Sequence, residues 1–314
     1  MTLKILGDPH LGRRFENNVP LHRRGEREQL VWAQFEQELD PKGHELHIMM
    51  GDLFDKAIVP YTVVLRAARL YQEAALSNPK TTFIVMRGNH DASRDLEAVS
   101  AFDVFRHLVR HVRNIEVVRS FYRHDAATIY GWVPVETADE LVNRLPPTPG
   151  LPVFGHWDTD ARYSGGNLIP TVSLAKLGVT QVFTGHIHKS DQFTRDGLTV
   201  VQTGSMQPYA HGEEVNDDLY VTLSLEDVKD KDADWLKDRC VRVLLEPGEV
   251  FDLEIDCLQL VLKRASDVGD DEGIEVSLGE FDLNTIYSEA MVGVPSTIET
   301  QVKAQWDQSF TRKL

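Results

Sequence analysis

Short apolar runs that lead into a glycine and then an acidic residue, an asparagine or a histidine recur along the first 190 residues. Leu3–Leu6 leads to Gly7-Asp8, Leu46–Met50 to Gly51-Asp52, and Thr82–Met86 to Arg87-Gly88-Asn89-His90-Asp91. Leu151–Phe154 leads to Gly155-His156, and Gln181–Phe183 to Gly185-His186-Ile187-His188. Runs of this length, rich in β-branched and aliphatic residues and closed by turn formers, read as buried strands. Helical spacing alternates with them at Glu26–Leu39, where Leu30, Ala33, Phe35 and Leu39 stand among charges, and again at Thr62–Leu76 and Arg94–Arg110. This rhythm predicts a layered α/β fold. Ligands of such sheets bind beyond the carboxyl ends of the strands, which is where all five clusters fall. The glycines allow tight turns and close backbone approach there.

The middle of the chain is richer in strands. Ala127–Val133 precedes a helix near Glu136–Arg144, and Pro146, Pro147 and Pro149 then break the chain. Asp191–Arg195, Leu198–Gln202 and Leu219–Leu225 read as a meander, and Asp227–Asp238 as an exposed turn or short helix. After the strand Val241–Leu245, Pro247-Gly248 marks a linker, giving a large domain at 1–249 and a small α/β domain at 250–314. The small domain is expected to hold a strand at Leu258–Leu262, an acidic loop at Asp267–Gly273 and two helical segments. On the last, Ile298, Val302, Trp306 and Phe310 recur every four residues as an apolar stripe, to dock a partner's helices or to pack on its own domain.

Charge limits the choice of partners. The net charge is −16: residues 1–120 carry 17 Lys/Arg against 16 Asp/Glu, residues 121–250 carry 11 against 20, and residues 251–314 carry 5 against 13. An acidic whole argues against indiscriminate binding of polyanions but leaves room for a basic surface in the first third. Two cysteines, Cys240 and Cys257, imply a reducing compartment and no disulfide framework. No apolar run reaches 18 residues, so no membrane span is expected, and Met1–Asp8 reads as a first strand rather than a leader.

Carboxylate, amide oxygen and imidazole donors without thiolate suit manganese, iron or zinc. One carboxylate can bridge two such ions at about 3.5–4 Å, polarising a phosphoryl oxygen and activating a water for in-line attack. Taken singly, Asp8 or Gly-Asn-His-Asp reads equally well as a turn and His156 as an ordinary polar residue, while His186 and His188, two apart on one face of an extended segment, are suggestive. All five, each at a strand end, point to one two-metal phosphoesterase centre.

These motifs, D-x-H, G-D-x-x-D, G-N-H-D, G-H and G-H-x-H, resemble those of the calcineurin-like metallophosphoesterase superfamily. The flanks are similar to the SbcD nuclease family and to tailed-phage recombination endonuclease subunits: Asp8-Pro9-His10-Leu11-Gly12, Gly51-Asp52-Leu53-Phe54-Asp55, Gly155-His156-Trp157 followed by acidic residues, and Thr203-Gly204-Ser205-Met206-Gln207-Pro208. The likeness covers most of residues 1–215. It implies a layered α/β/β/α sandwich with a small C-terminal α/β capping domain. It further implies two divalent ions, manganese by family expectation with magnesium, iron or zinc as alternatives. Asp8, His10 and His188 would hold one ion, Asn89, His156 and His186 the other, and Asp52 would bridge them. His90, helped by Asp91, would stabilise the transition state or protonate the leaving oxygen. Asp55 stands where many relatives carry histidine, which implies a supporting part. An SbcC-like coiled-coil ATPase partner, a homodimer and a bacterial cytoplasm, that of a phage-infected host included, complete what the resemblance implies.

The substrate expected is DNA. Arg13, Arg14, Arg23 and Arg24, with His22 and Arg27 nearby, follow the first metal motif and are placed to contact phosphates. A phosphatase on the same scaffold and a catalytically dead binding module are the competing readings. The basic loop and the extra domain speak against the first, and the intact ligand set against the second. The chain has no Walker-type phosphate loop, so any ATP coupling would come from the partner.

Overall fold

Four parallel strands make the first sheet: β1 (Leu3–Leu6), β2 (Leu46–Met49), β3 (Thr82–Met86) and β4 (Ile115–Val118), side by side in that order. Leu3 lies opposite Leu46, Leu46 opposite Thr82, and Phe83 opposite Ile115. The helices α1 (Glu26–Glu38), α2 (Tyr61–Ser77) and α3 (Ala101–Val109) pack on one face. Because side chains alternate along a strand, Phe83 and Val85 meet those helices while Ile84 and Met86 point to the other face.

That other face is covered by a second sheet. The chain crosses to it through Arg119 and Ser120, since β5 (Phe121–His124) follows β4 directly. The rest of this sheet is β6 (Ala127–Tyr130), β7 (Val153–His156), β8 (Gln181–Gly185), β9 (Asp191–Arg195) and β10 (Leu198–Gln202), in the spatial order β5-β6-β7-β8-β10-β9. Its two edge pairs are antiparallel and its centre is parallel. Ala127, Ile129 and Phe154 pack with Leu46, Ile48, Ile84 and Met86 between the sheets. Tyr130, Val153 and Val182 face outward against α4 (Ala138–Arg144) and α5 (Thr171–Lys176). The layers are therefore α/β/β/α, as expected.

A third sheet, β11 (Tyr220–Ser224), β12 (Cys240–Leu245) and β13 (Gln259–Arg264), has its own core around Val241, Val243 and Leu236. The charged stretch before β12 forms two short helices, α6 (Leu225–Asp230) and α7 (Ala233–Lys237), which bury Leu225, Val228 and Leu236. The computed structural model describes residues 2–93, 95, 98–160, 167–213 and 219–264. One unit of the chain runs through Lys263, so a boundary at 249/250 falls inside the third sheet. Pro247 and Gly248 sit in a turn closed by the Glu249 N–H on the Glu246 carbonyl (3.0 Å). The acidic loop Asp267–Gly273, the two helical segments and the stripe Ile298, Val302, Trp306 and Phe310 lie outside the described residues. No described helix is long and apolar enough to cross a membrane.

Local sequence accounts for the helix limits. Ser100 and Asp103 form a reciprocal capping box that starts α3, so the described helix begins at Ala101 rather than Arg94. In α1 the buried positions are Arg27, Val31 and Phe35, four apart, with Leu39 buried just beyond; Leu30 and Ala33 face solvent. A buried arginine hides this stripe from a purely apolar reading.

Candidate metal centre

The five clusters converge at the carboxyl ends of β1, β2, β3, β7 and β8. Asp8, His10 and His188 each offer a donor atom within 4.8 Å of the others, and so do Asp52, His156 and His186. The Asn89 amide oxygen joins the second group, 2.9 Å from His156 Nε2 and 3.0 Å from His186 Nδ1. Asp52 Oδ2 reaches both groups, at 3.3 Å from His156 Nε2 and 3.8 Å from His10 Nε2. All seven expected ligands are thus brought together, with Asp52 between the two sets.

The backbone is bent to achieve this. His10, Asp52 and His186 have φ of 46°, 49° and 78°, in the left-handed region that side chains other than glycine seldom adopt; each costs about 1–3 kcal/mol and persists where packing over-determines it. Glycines make the approach possible. A Cβ on Gly51, itself at φ 111°, would lie 2.2 Å from His156 Nδ1, and one on Gly88 would lie 2.1 Å from Asp52 Oδ1.

Secondary partners fix the imidazole rings. His156 Nδ1 donates to the Met50 carbonyl (2.9 Å), His188 Nδ1 meets Glu213 Oε1 (3.1 Å), and His186 Nε2 meets Asp158 Oδ2 (3.4 Å). Each ring therefore turns its other nitrogen toward the donor cluster, as in metal-holding histidines generally. Asp158 belongs to the acidic run after His156 and was visible as such in the sequence. Glu213 had no local signal.

The two residues expected to do acid–base work part company. His90 is exposed, 4.9 Å edge-to-face from His10, and its Nδ1 donates to the Asp55 carbonyl (2.6 Å), leaving Nε2 open. Asp91 does not assist it. It is buried, and its carboxylate accepts from the N–H groups of Leu53 (3.1 Å), Phe54 (2.9 Å) and Gly88 (2.9 Å). Asp91 ties the second and third motif loops together, and Asp55 supplies the carbonyl that orients His90.

Burial and mutual charge set the electrostatics. Burial raises the Asp8 carboxyl to about 7 against the pull of His156. Burial opposes charge on His156 as well, but Asp52 and Asp8 outweigh it and lift this imidazole to about 10. Burial would raise Asp52 too, yet His156 and His10 hold it well below the usual carboxylate range. Burial drives His10 down to about 3 and His186 to about 4, so both are neutral donors. Asp8 Oδ1 is buried without a hydrogen-bond partner while Oδ2 accepts the His186 N–H (2.8 Å). The orphaned Asp8 oxygen beside the neutral His10 fits a divalent cation in the first cluster, and the carboxylate, amide and imidazole donors of the second suit another.

The basic loop divides. Arg14 and Arg24 are exposed. Arg13 lies beside the centre, 3.8 Å from Asp55 Oδ1 and over the Tyr209 ring. Arg23 is only 5% exposed and bonds Glu26, Asp256 and the Lys237 carbonyl. It fastens the loop to the end of α7 and to the segment that leads into β13, and is not available to a phosphate. Arg27 is likewise buried, on Gln207 and the Pro208 carbonyl.

A family described as calcineurin-like phosphoesterase matches residues 1–190. Among solved structures, TT1561 of Thermus thermophilus is similar at 14% identity and a TM-score of 0.41, covering 65% of this chain and 89% of its own. The phosphopantetheinyl hydrolase PptH from Mycobacterium tuberculosis is similar at 13% identity and a TM-score of 0.39, covering 66% and 93%. No curated protein matches.

Proposed function

The chain belongs to the calcineurin-like phosphoesterase family, and from that premise we propose that it is a metal-dependent DNA nuclease subunit, cleaving phosphodiester bonds alongside an SbcC-like ATPase. The observation that carries the reading is Asp52 standing between two complete donor clusters with His90 open beside them. Divalent cations in such a pair neutralise phosphoryl charge and activate water. The chain's own part is geometric. Asp91 and the strained turns hold the ligands, and the Asp55 carbonyl holds the His90 Nδ1–H, so that Nε2 can take up a proton and, from the imidazolium form, pass it to the leaving oxygen.

The substrate rests on the SbcD-like flanks of the motifs and on Arg13, Arg14 and Arg24 following the first of them. Incubation of linear duplex DNA with the chain and Mn²⁺ is expected to release nucleotides or cut ends, and His90→Ala to abolish this. Inert DNA beside rapid turnover of p-nitrophenyl phosphate would instead establish a phosphatase. Co-migration with an SbcC-like ATPase in gel filtration tests the partnership, and separate elution of the two would refute it.

A further inference from the structure

Residues 203–213 lie beyond the family match yet build one wall of the centre. The Ser205 N–H donates to the His188 carbonyl (3.0 Å) and the Met206 N–H to the Asp8 carbonyl (3.2 Å). The Tyr209 hydroxyl donates to the Pro9 carbonyl, and its ring packs 5.3 Å from His10 and 5.8 Å from His188. Glu213 closes the wall. Its Oε1 meets His188 Nδ1 at 3.1 Å and its Oε2 accepts the Tyr209 N–H at 2.8 Å. One carboxylate thus grips a ligand histidine and the turn that braces the other two ligands of the same cluster. Across the centre, Asp158 meets His186 Nε2 at 3.4 Å in the other cluster.

We propose that Glu213 is a positioning residue for the Asp8–His10–His188 site alone, and that Asp158 is its counterpart for the Asp52–Asn89–His156–His186 site. The inference rests on the metal-centre reading above and adds to it a division of labour. A carboxylate on the far nitrogen of a ligand histidine fixes its ring and makes it a better donor; removing such a partner lowers metal affinity roughly 10–100-fold. Since each carboxylate serves one histidine, each loss falls on one ion. A merely structural ion pair would lower the Tm and leave the two affinities in their original ratio.

Mn²⁺ titration of the full chain by calorimetry, with Tm recorded beside it, tests this on wild type, Glu213→Gln, Asp158→Asn and the double variant. Glutamine keeps an oxygen for the Tyr209 N–H while removing the charge from His188. Wild type is expected to take up two ions, each single variant to lose roughly 10–100-fold at one of them, and the double variant to lose at both. Wild-type affinities in Glu213→Gln, equal loss at both ions in either single variant, or no further loss in the double variant would overturn the inference with the metal centre intact. A wild type that takes up no Mn²⁺ would refute the metal-centre reading itself.

Discussion

Divalent cation binding should expel protons from this centre, in a number that its electrostatics sets. His156, lifted to about 10, is almost fully protonated at pH 8. Its Nε2 proton lies between Asp52 Oδ2 and the Asn89 amide oxygen and must leave before that nitrogen can bind a cation. Asp8, raised to about 7, is mostly ionised at pH 8 and mostly protonated at pH 6. His10 at about 3 and His186 at about 4 have nothing to release at either pH. His188 adds to the total: burial works against its charge, but the Glu213 hydrogen bond and charge raise it above its ordinary value. Release should therefore be at least about one proton at pH 8 and at least about two at pH 6. The apparent affinity should climb at least about tenfold per pH unit above pH 8, levelling off towards 10, as the cation competes with the His156 proton. Calorimetric titration with Mn²⁺ in paired buffers of different ionisation enthalpy counts these protons, and His156→Gln should remove about one. Zero release at pH 8, or a count that grows with pH, would refute the charge arrangement.

Gly51→Ala forces a side chain into the left-handed region and against His156 Nδ1. A loss of about 2–4 kcal/mol, a Tm lower by roughly 5–10 °C and weaker Mn²⁺ binding are expected, readable by calorimetry and titration. His47 is buried and driven down to about 4, with its Nε2 on the Glu38 carbonyl. Its folded value lies below its unfolded one, so as pH falls from about 6.5 to 4 the unfolded chain takes a proton that the native state refuses. Roughly 3 kcal/mol of stability should go in that window, and denaturant melts of His47→Gln should show a shallower fall. Arg14→Ala in a His90→Asn background should weaken duplex DNA binding and cut the log–log salt slope by about 0.9. Arg23→Ala should lower the Tm, because its guanidinium is spent on Glu26, Asp256 and the Lys237 carbonyl.

The ligands were legible because each follows an apolar run directly. A buried strand announces itself by composition, and in a parallel sheet its carboxyl end is where the chain must turn and where sites collect. Asp8, Asp52, Asn89, His156 and His186 all carry that local signature. β4 and β5 did not, since Arg119-Ser120 joins them with no glycine or proline between, and the Tyr122-Arg123-His124 of β5 makes no apolar run. The limits of α3 were masked for a similar reason. Charges before Ser100 continue the helical composition, while the capping box that sets the start depends on two side chains folding back.

What the sequence hid follows one physical rule: burial of a polar side chain is decided by partners far away in the chain. Arg23 and Arg14 look alike in the basic loop, yet one finds Asp256 and the other finds solvent. Asp91 sits beside His90 in the motif, yet the three N–H groups it satisfies, two of them some 37 residues upstream, turn it inward and away from catalysis. Glu213 reaches His188 only because the turn from Gly204 to Tyr209 folds back on Asp8 and Pro9, some 200 residues earlier. First contacts to a cation need fixed donor types and so leave a motif. The groups that aim those donors need only an acceptor at the right place, which many residues at many positions can supply. A motif search will therefore recover the ligands of such a centre more readily than the groups that aim them: Asp158 falls inside the matched family region, but Glu213, the carboxylate on His188, lies outside it altogether.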